Sequence, residues 1–327
     1  MAATTYTVPG GADAIAFTGA KTLNGAIADA YRDACAVELR ALKPGNVHQY
    51  ADGHGMTVAD FLKSAQASAG PIAAPGLGLG ERVYRAVEAT RAEVGCNTNL
   101  GIVLLCAPLA QALLDGKATG SLRERLRQVL RKADREDSEW LFRAIRLAAP
   151  AGLGESGRHD VGAPADAPLA QVMAYAARRD RIARQYATDY ADLFQDAVPR
   201  LRGFAARWGD EAWAAAALFL DLLSRLPDTH VARKLGAKKA RAASRRVLPL
   251  ARALARSRRP DDLRGPLLRL DRELKGEGIN PGTSADLTVA SLLILRLEPL
   301  GSGRELAARH RRIPVPGAAE CGPGLHL

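Results

Sequence analysis

Apolar residues recur at steps of three and four along most of the chain, the spacing that gathers them on one face of a helix. The first such stretch covers 21–42, with Leu23, Ile27, Ala30/Tyr31, Ala34 and Val37 in register, and Lys43-Pro44-Gly45 stops it. Thr57 with Asp60 spells a capping box that opens a second helix through Phe61, Leu62 and Ala65. A Gly/Pro/Ala stretch over 70–80 separates it from a helix over 81–93, and Asn97-Thr98-Asn99 precedes the most apolar run, 100–114, which predicts a central buried helix. Helices follow at 122–132 and 137–149. After a Gly-, Pro- and Asp-rich loop at 150–168, the pattern predicts more at 169–178, 182–207, 211–226, 230–255, 262–276 and 284–297. Neither a strand-like alternation nor a repeat of fixed period appears. The fold class is therefore all-α: one compact multi-helix domain over 21–300 around a buried central helix. An N-terminal extension (1–20) precedes it, and a Gly/Pro-rich tail (301–327) follows.

Composition agrees with this reading. Aromatics make up 5% of the 327 residues while Ala and Leu dominate, which favours close-packed helices over sheets. With 47% apolar and 25% charged residues, disorder is excluded for most of the chain. Cys35, Cys96, Cys106 and Cys321 form no CxxC pair, so reduced thiols in a cytoplasmic protein are expected. The longest charge-free stretch, 95–114, is broken by Asn97, Thr98, Asn99, Pro108 and Gln111, and its unbroken part is too short to span a bilayer. The start of the chain lacks the charged residues of a secretory signal.

The formal net charge is +11. A run of eleven basic residues without an intervening acid, from Arg233 and Lys234 through Arg259, equals that excess. Such a run is either a solvated helix face or an attractor for a polyanion. No aromatic side chain is interleaved for base stacking, which argues against single-stranded nucleic acid.

Four polar segments interrupt the Ala/Leu/Arg pattern at helix ends. Lys43 sits at a rigid Pro-Gly turn with Asn46 just after it and His54 beyond, an arrangement for phosphate and for proton transfer, or simply a helix stop. Asn97, Thr98 and Asn99 exceed what capping of the apolar helix requires, and the surplus suits a ligand. Asp228-Thr229-His230 follows Pro227, and Asp228 is either an N-cap or a functional carboxylate. Gly282, Thr283 and Ser284 with Asp286 form a helix start whose free amides can hold phosphate, with Thr283 and Asp286 also reading as a capping box. Together these residues supply cations, hydroxyls and carboxylates suited to a magnesium-nucleotide.

In order and spacing, the four segments resemble the triphosphoribosyl-dephospho-coenzyme A synthase family over roughly 26–297. The family's Pro-Lys-Pro-Gly turn stands here as Leu42-Lys43-Pro44-Gly45, and its Ala-His-x-Asp-Met element as Gly53-His54-Gly55-Met56. Asn-Thr-His-Lys-Gly is matched by Asn97-Thr98-Asn99-Leu100-Gly101. Asp-Thr-Asn followed by Arg-Gly-Gly is matched by Asp228-Thr229-His230 and Arg233-Lys234-Leu235-Gly236, and Ser-Pro-Gly-Gly-Ser-Ala-Asp-Leu by the eight residues from Asn280 to Leu287. Departures cluster where substrate would bind: no Asp precedes Met56, and Asn99-Leu100 replaces a His-Lys pair. Lys-Pro-Gly-Asn-Val, Asn-Thr-Asn-Leu-Gly and Asn-Pro-Gly-Thr, as they stand here, are similar to a divergent subgroup of methylotrophs and archaea.

The resemblance implies a transferase that moves the triphosphoribosyl group of ATP to an alcohol, dephospho-coenzyme A in the family, and releases adenine. It implies phosphate contacts from Lys43, Arg233 and Lys234, and magnesium or sugar contacts from Asp228 and Asp286. His54 is the candidate for proton transfer. Asn46, Asn97, Thr98, Asn99, Thr229, Gly282, Thr283 and Ser284 would contact substrate or nucleotide. Other readings of the same residues are α-ribosylation of a different alcohol in one-carbon coenzyme biosynthesis of the tetrahydromethanopterin type, a ribosyl-bond hydrolase, and an RNA-binding protein.

Overall fold

The computed structural model describes residues 22–116 and 119–301; the N-terminal extension and the tail beyond 301 lie outside it. Among the described residues there are fourteen α-helices and no strand. The first half comprises α1 (Leu23–Arg40), α2 (Val58–Ala73), α3 (Leu79–Val94), α4 (Leu100–Leu114), α5 (Leu122–Lys132) and α6 (Arg135–Ala148). The second comprises α7 (Leu169–Ala176), α8 (Arg181–Ala187), α9 (Val198–Trp208), α10 (Glu211–Arg225), α11 (Thr229–Leu235), α12 (Ala237–Arg256), α13 (Arg264–Gly276) and α14 (Gly282–Gly301). No described helix is long and apolar enough to cross a membrane.

Two helices are apolar nearly all round and form the centre. α4, the run singled out by its sequence, packs against α14, and the two are enclosed by α1, α2, α3, α5, α9 and α10. Pro108 inside α4 supplies no N–H to the carbonyl of Leu104, four residues back. That buried carbonyl accepts instead from the Tyr186 hydroxyl at 2.6 Å, and the neighbouring Leu105 carbonyl accepts from Tyr190 at 3.1 Å. The helix expected over 182–207 is therefore three pieces. α8 stops at Ala187, Asp189 and Tyr190 take left-handed φ values of 49° and 55°, and a π-helical turn, Leu193–Ala197, leads into α9. Strain in those two residues is tolerated where buried tyrosine bonds hold the segment.

Three other expectations are corrected. The helix expected over 230–255 is divided by Gly236, whose φ of 87° and ψ of 154° only glycine adopts readily, into α11 and α12. α2 continues through Gly70 and Pro71 to Ala73, because the buried Arg82 collects the carbonyls beyond its end. Its Nη1 donates to Ile72 at 2.8 Å and Ala74 at 2.7 Å and reaches Pro71 at 3.3 Å, and Nη2 donates to Leu77 at 3.2 Å. The capping box of Thr283 and Asp286 does not form: α14 already begins at Gly282, and Thr283 Oγ1 accepts from the backbone N–H of His230 at 3.1 Å. The boxes at Thr57–Asp60, Ser121–Glu124 and Asp134–Asp137 do form.

Candidate functional site

The N-termini of α4, α11 and α14 open on one cavity of about 750 Å³, closed on its far side by α6, α7, α8 and the loop at 150–168. This volume suits a small-molecule site. Asn46, His54, Asn97, Thr98, Thr229, Arg233, Lys234, Gly282, Thr283 and Asp286 all line it. Residues up to 240 positions apart in sequence thus meet at one place.

Asp286 is the carboxyl at the centre. It makes no hydrogen bond or ion pair among the described residues, and it sits so close to α4 that a Cβ at Gly101 would lie 2.0 Å from its Oδ2. Burial, with the Asp228 and Glu38 carboxyls nearby, pushes Asp286 well above the usual carboxylate range despite the opposing Arg233. The neutral form of the carboxyl is thereby favoured. Gly101→Ala would force the carboxyl aside by more than an ångström. We expect turnover at this site to fall roughly 100-fold with unchanged helical content; steady-state rates and circular dichroism check this.

His54 lies in a two-residue turn closed by Gly53 N–H to Met56 O at 3.1 Å and Met56 N–H to Gly53 O at 3.0 Å. Its φ of 58°, followed by 75° at Gly55, is the left-handed pair such a turn demands, unusual for a histidine. The ring Nε2 donates to the Gly45 carbonyl at 2.8 Å, which fixes the tautomer and leaves Nδ1 as the acceptor. Gly45 is held in turn: its N–H donates to Asp271 Oδ1 at 2.9 Å, and its φ of 87° and the Ile279 carbonyl, 2.9 Å from a would-be Cβ, demand glycine. Asp271 thus positions the turn that positions His54.

Lys43 is placed otherwise than expected. It is fully buried behind the cavity wall, ion-paired to Glu38 and donating to Asn46 Oδ1 at 3.2 Å, while Asn46 Nδ2 donates to Asn280 Oδ1 at 2.8 Å. Burial lowers the Lys43 ammonium and raises the Glu38 carboxyl, and each partner offsets this for the other. Lys43 therefore braces Glu38, Asn46 and Asn280, which do line the cavity, and does not itself reach a phosphate.

Asp228 is likewise a brace. Its Oδ1 accepts from His230 and Val231 N–H at 2.9 and 3.1 Å and caps α11, and its Oδ2 accepts from Ser284 N–H and Oγ, both at 2.8 Å. Four donors occupy its acceptor positions and it does not line the cavity, so unlike Asp286 it presents no unbonded oxygen there. Among the described residues no group of three His, Cys, Asp or Glu side chains could hold a metal ion. Ser284 is turned toward Asp228, and Asn99 faces the interior, where its Nδ2 donates to Ser68 Oγ at 3.2 Å. Asn97 performs the capping of α4, accepting from Leu100 N–H at 3.2 Å, and Thr98 bonds Ser64 at 2.6 Å.

The cations face the cavity from α11 and from the segment after α7. Arg233 donates to the Ala151 carbonyl at 3.2 Å and lies 3.6 Å from Asp180; Arg179 donates to Ser156 Oγ at 2.9 Å and stacks over Tyr175 at 4.9 Å. Most of the basic run lies beyond Gly236 on α12, away from the cavity lining, where Lys238, Arg241, Arg245, Arg252 and Arg256 are exposed. His230 packs so tightly on Gly282 that a Cβ there would meet its Nδ1 at 2.4 Å. Burial, then Arg233, Lys234 and His54, push its imidazole down from 6.5 to about 4.

Since the unfolded chain binds that proton at higher pH, His230 contributes stability in full above about pH 6.5 and loses it as pH falls toward 4. Between those values, we expect the urea midpoint of the wild type to fall more steeply than that of His230→Gln; parallel slopes would remove the claim.

Nothing in the sequence singles out Glu38, which reads as one more helical residue, nor Asp271, Arg179 or Asp180. The Gly- and Pro-rich composition of the loop at 150–168 marks a loop but not that Leu153, Ser156, His159 and Val161 close the cavity.

Three cations, a set of amides and hydroxyls, and an unpaired carboxyl thus converge on one cavity in an all-α enzyme. The chain belongs to the ATP:dephospho-CoA triphosphoribosyl transferase family, whose model matches residues 24–304. Its structure is similar to that of a protein from Archaeoglobus fulgidus described as a triphosphoribosyl-dephospho-CoA synthase. That similarity has a TM-score of 0.53 at 25% identity and covers 73% of this chain and 98% of the other. No curated protein sequence matches.

Proposed function

We propose that the protein transfers the triphosphoribosyl group of ATP to an alcohol and releases adenine. The observation that carries this is the unpaired Asp286 carboxyl sharing one cavity with His54, Arg233 and Lys234, in a member of this family. On this reading Arg179, Arg233 and Lys234 take the triphosphate. Asn46, Asn97, Thr98, Thr229 and Asn280 orient ribose and base through paired hydrogen bonds.

The acceptor oxygen bonds to the anomeric carbon as the glycosidic C–N bond breaks, with its electron pair leaving on adenine. His54 Nδ1 takes the hydroxyl proton, and Asp286 gives its own proton to adenine; the carboxylate so formed opposes the positive charge on the ribosyl ring. His54 later returns a proton to Asp286 through solvent. Magnesium fits this donor set as an ion carried on the triphosphate, which it neutralises, rather than as one held by several protein ligands.

The test is the reaction itself: magnesium-ATP with dephospho-coenzyme A and with other alcohols, products separated and weighed. Adenine together with an acceptor heavier by a triphosphoribosyl group supports the reading. Adenine or ribosyl triphosphate formed equally well without any acceptor would make the protein a hydrolase.

A further inference from the structure

α12 divides cleanly between core and solvent. Its inner side, Ala240, Ala243, Ser244, Val247, Ala251 and Leu254, is buried, and the helix packs on α10 and α11. At 3.6 residues per turn, Lys238, Arg241, Arg245, Arg252 and Arg256 fall on the opposite side, within an arc of about 60° and along about 27 Å of helix. All five are exposed and none lines the cavity. The proposed transfer reaction therefore leaves this face unused.

A helix face that merely meets water is usually laced with both signs of charge. Other helices of the fold follow that rule: Arg85, Arg143, Arg200 and Arg225 each pair with an acid four residues away. The α12 face departs from it. No acid stands between Thr229 and Pro260 in the chain, and none of the five cations makes an ion pair or a side-chain hydrogen bond among the described residues. Glu273 and Glu277, on and just after the neighbouring α13, are taken by Arg246, and Asp261 by Arg264. Like charges three and four residues apart repel, so the fold carries a repulsion that an external polyanion would relieve.

We propose that this face binds the phosphate backbone of double-stranded DNA without reading its sequence. Four of the five cations are arginines, whose guanidinium forks pair with phosphate oxygens, and the row is long enough to follow about eight base pairs. What the face lacks separates this partner from others. A protein interface is built on an apolar core, and a helix that lies in a membrane inserts large apolar side chains. None of the exposed large apolar side chains among the described residues is on α12. Single strands are held by stacking on aromatic rings, and α12 has none. RNA is told from DNA through its 2′-hydroxyls, and the one uncharged polar side chain of α12, Ser244, is buried and donates to the Ala240 carbonyl at 3.3 Å. Binding here is independent of the cavity and of the reaction proposed for it.

The test is fluorescence anisotropy of a labelled DNA duplex of about 20 base pairs titrated with the full chain. A Kd of roughly 10 μM is expected near about 0.1 M salt, with log K falling against log salt at a slope of about −4 to −5, the value for five phosphate contacts. Lys238→Gln, Arg245→Gln and Arg252→Gln combined are expected to weaken binding at least about tenfold and to flatten the slope by about 3. Circular dichroism checks that this variant is folded, and its melting temperature is expected to equal or exceed that of the wild type, because repulsion has been removed. Arg91→Gln, Arg131→Gln and Lys132→Gln combined remove the same charge from exposed positions on α3 and α5 and are expected to change affinity less than about threefold. An equal loss in the two triple variants would make binding a matter of net charge and overturn the proposal. Undetectable binding at about 50 mM salt would overturn it too. So would tighter binding of the single strand or of an RNA duplex of the same length, or equal binding of poly-glutamate or of phosphatidylserine vesicles.

Discussion

Asp286→Asn is expected to lower the rate of adenine release roughly 1,000-fold while ATP still binds. The amide keeps the size of the side chain, so the close approach to Gly101 survives, but it can neither donate a proton to adenine nor leave a negative charge beside the ribosyl ring. Stability should move the other way. A half-buried carboxyl without a partner, crowded by Asp228 and Glu38, costs free energy in the folded protein, and a neutral amide removes part of that cost. The expected pair of results is therefore a lost rate with an unchanged or raised melting temperature. Activity within tenfold of wild type would remove Asp286 from the reaction.

Arg82→Ala is expected to destabilise the fold by about 3–5 kcal/mol, the scale for deleting one partner from a buried charged network. The guanidinium is 1% exposed and serves four carbonyls between Pro71 and Leu77 as well as Gln111 Oε1 at 2.9 Å, so its loss frees several buried acceptors at once. Arg82→Lys should recover only part of this, since an ammonium cannot reach carbonyls spread over that fork. Urea unfolding measures both. A loss below about 1 kcal/mol for the alanine variant would mean that water satisfies those carbonyls as well as the arginine does.

Helix positions were largely legible because period and stop signals are local. α4 matches its expected bounds, and α1, α10 and α13 differ by a residue or two. Errors arose where a distant group decided the local outcome. Tyr186 is drawn to the carbonyl that Pro108 leaves without an N–H in α4, and Tyr190 to the next one, which breaks a helix the periodicity would continue. Arg82 extends α2 past a proline in the same way.

The site was legible as a set of segments but not as roles. Asp228 and Asp286 look alike in sequence, each an acid close to a helix start; only the fold shows that one is saturated by four donors and the other has none. Lys43 is conspicuous at its turn yet works from behind the wall. Glu38, its partner, lies inside an ordinary helical pattern and carries no local signal. Asp271, which holds Gly45 and through it His54, stands 226 residues from the turn it fixes.

The most direct measurement of the central claim is mass analysis of the products formed from magnesium-ATP and an alcohol acceptor by the wild-type chain, with Asp286→Asn beside it. Triphosphoribosyl transfer predicts free adenine in equal amount to an acceptor that has gained the ribose with all three phosphates, and neither from the variant. Formation of ADP or AMP with adenine still attached to its ribose would contradict it.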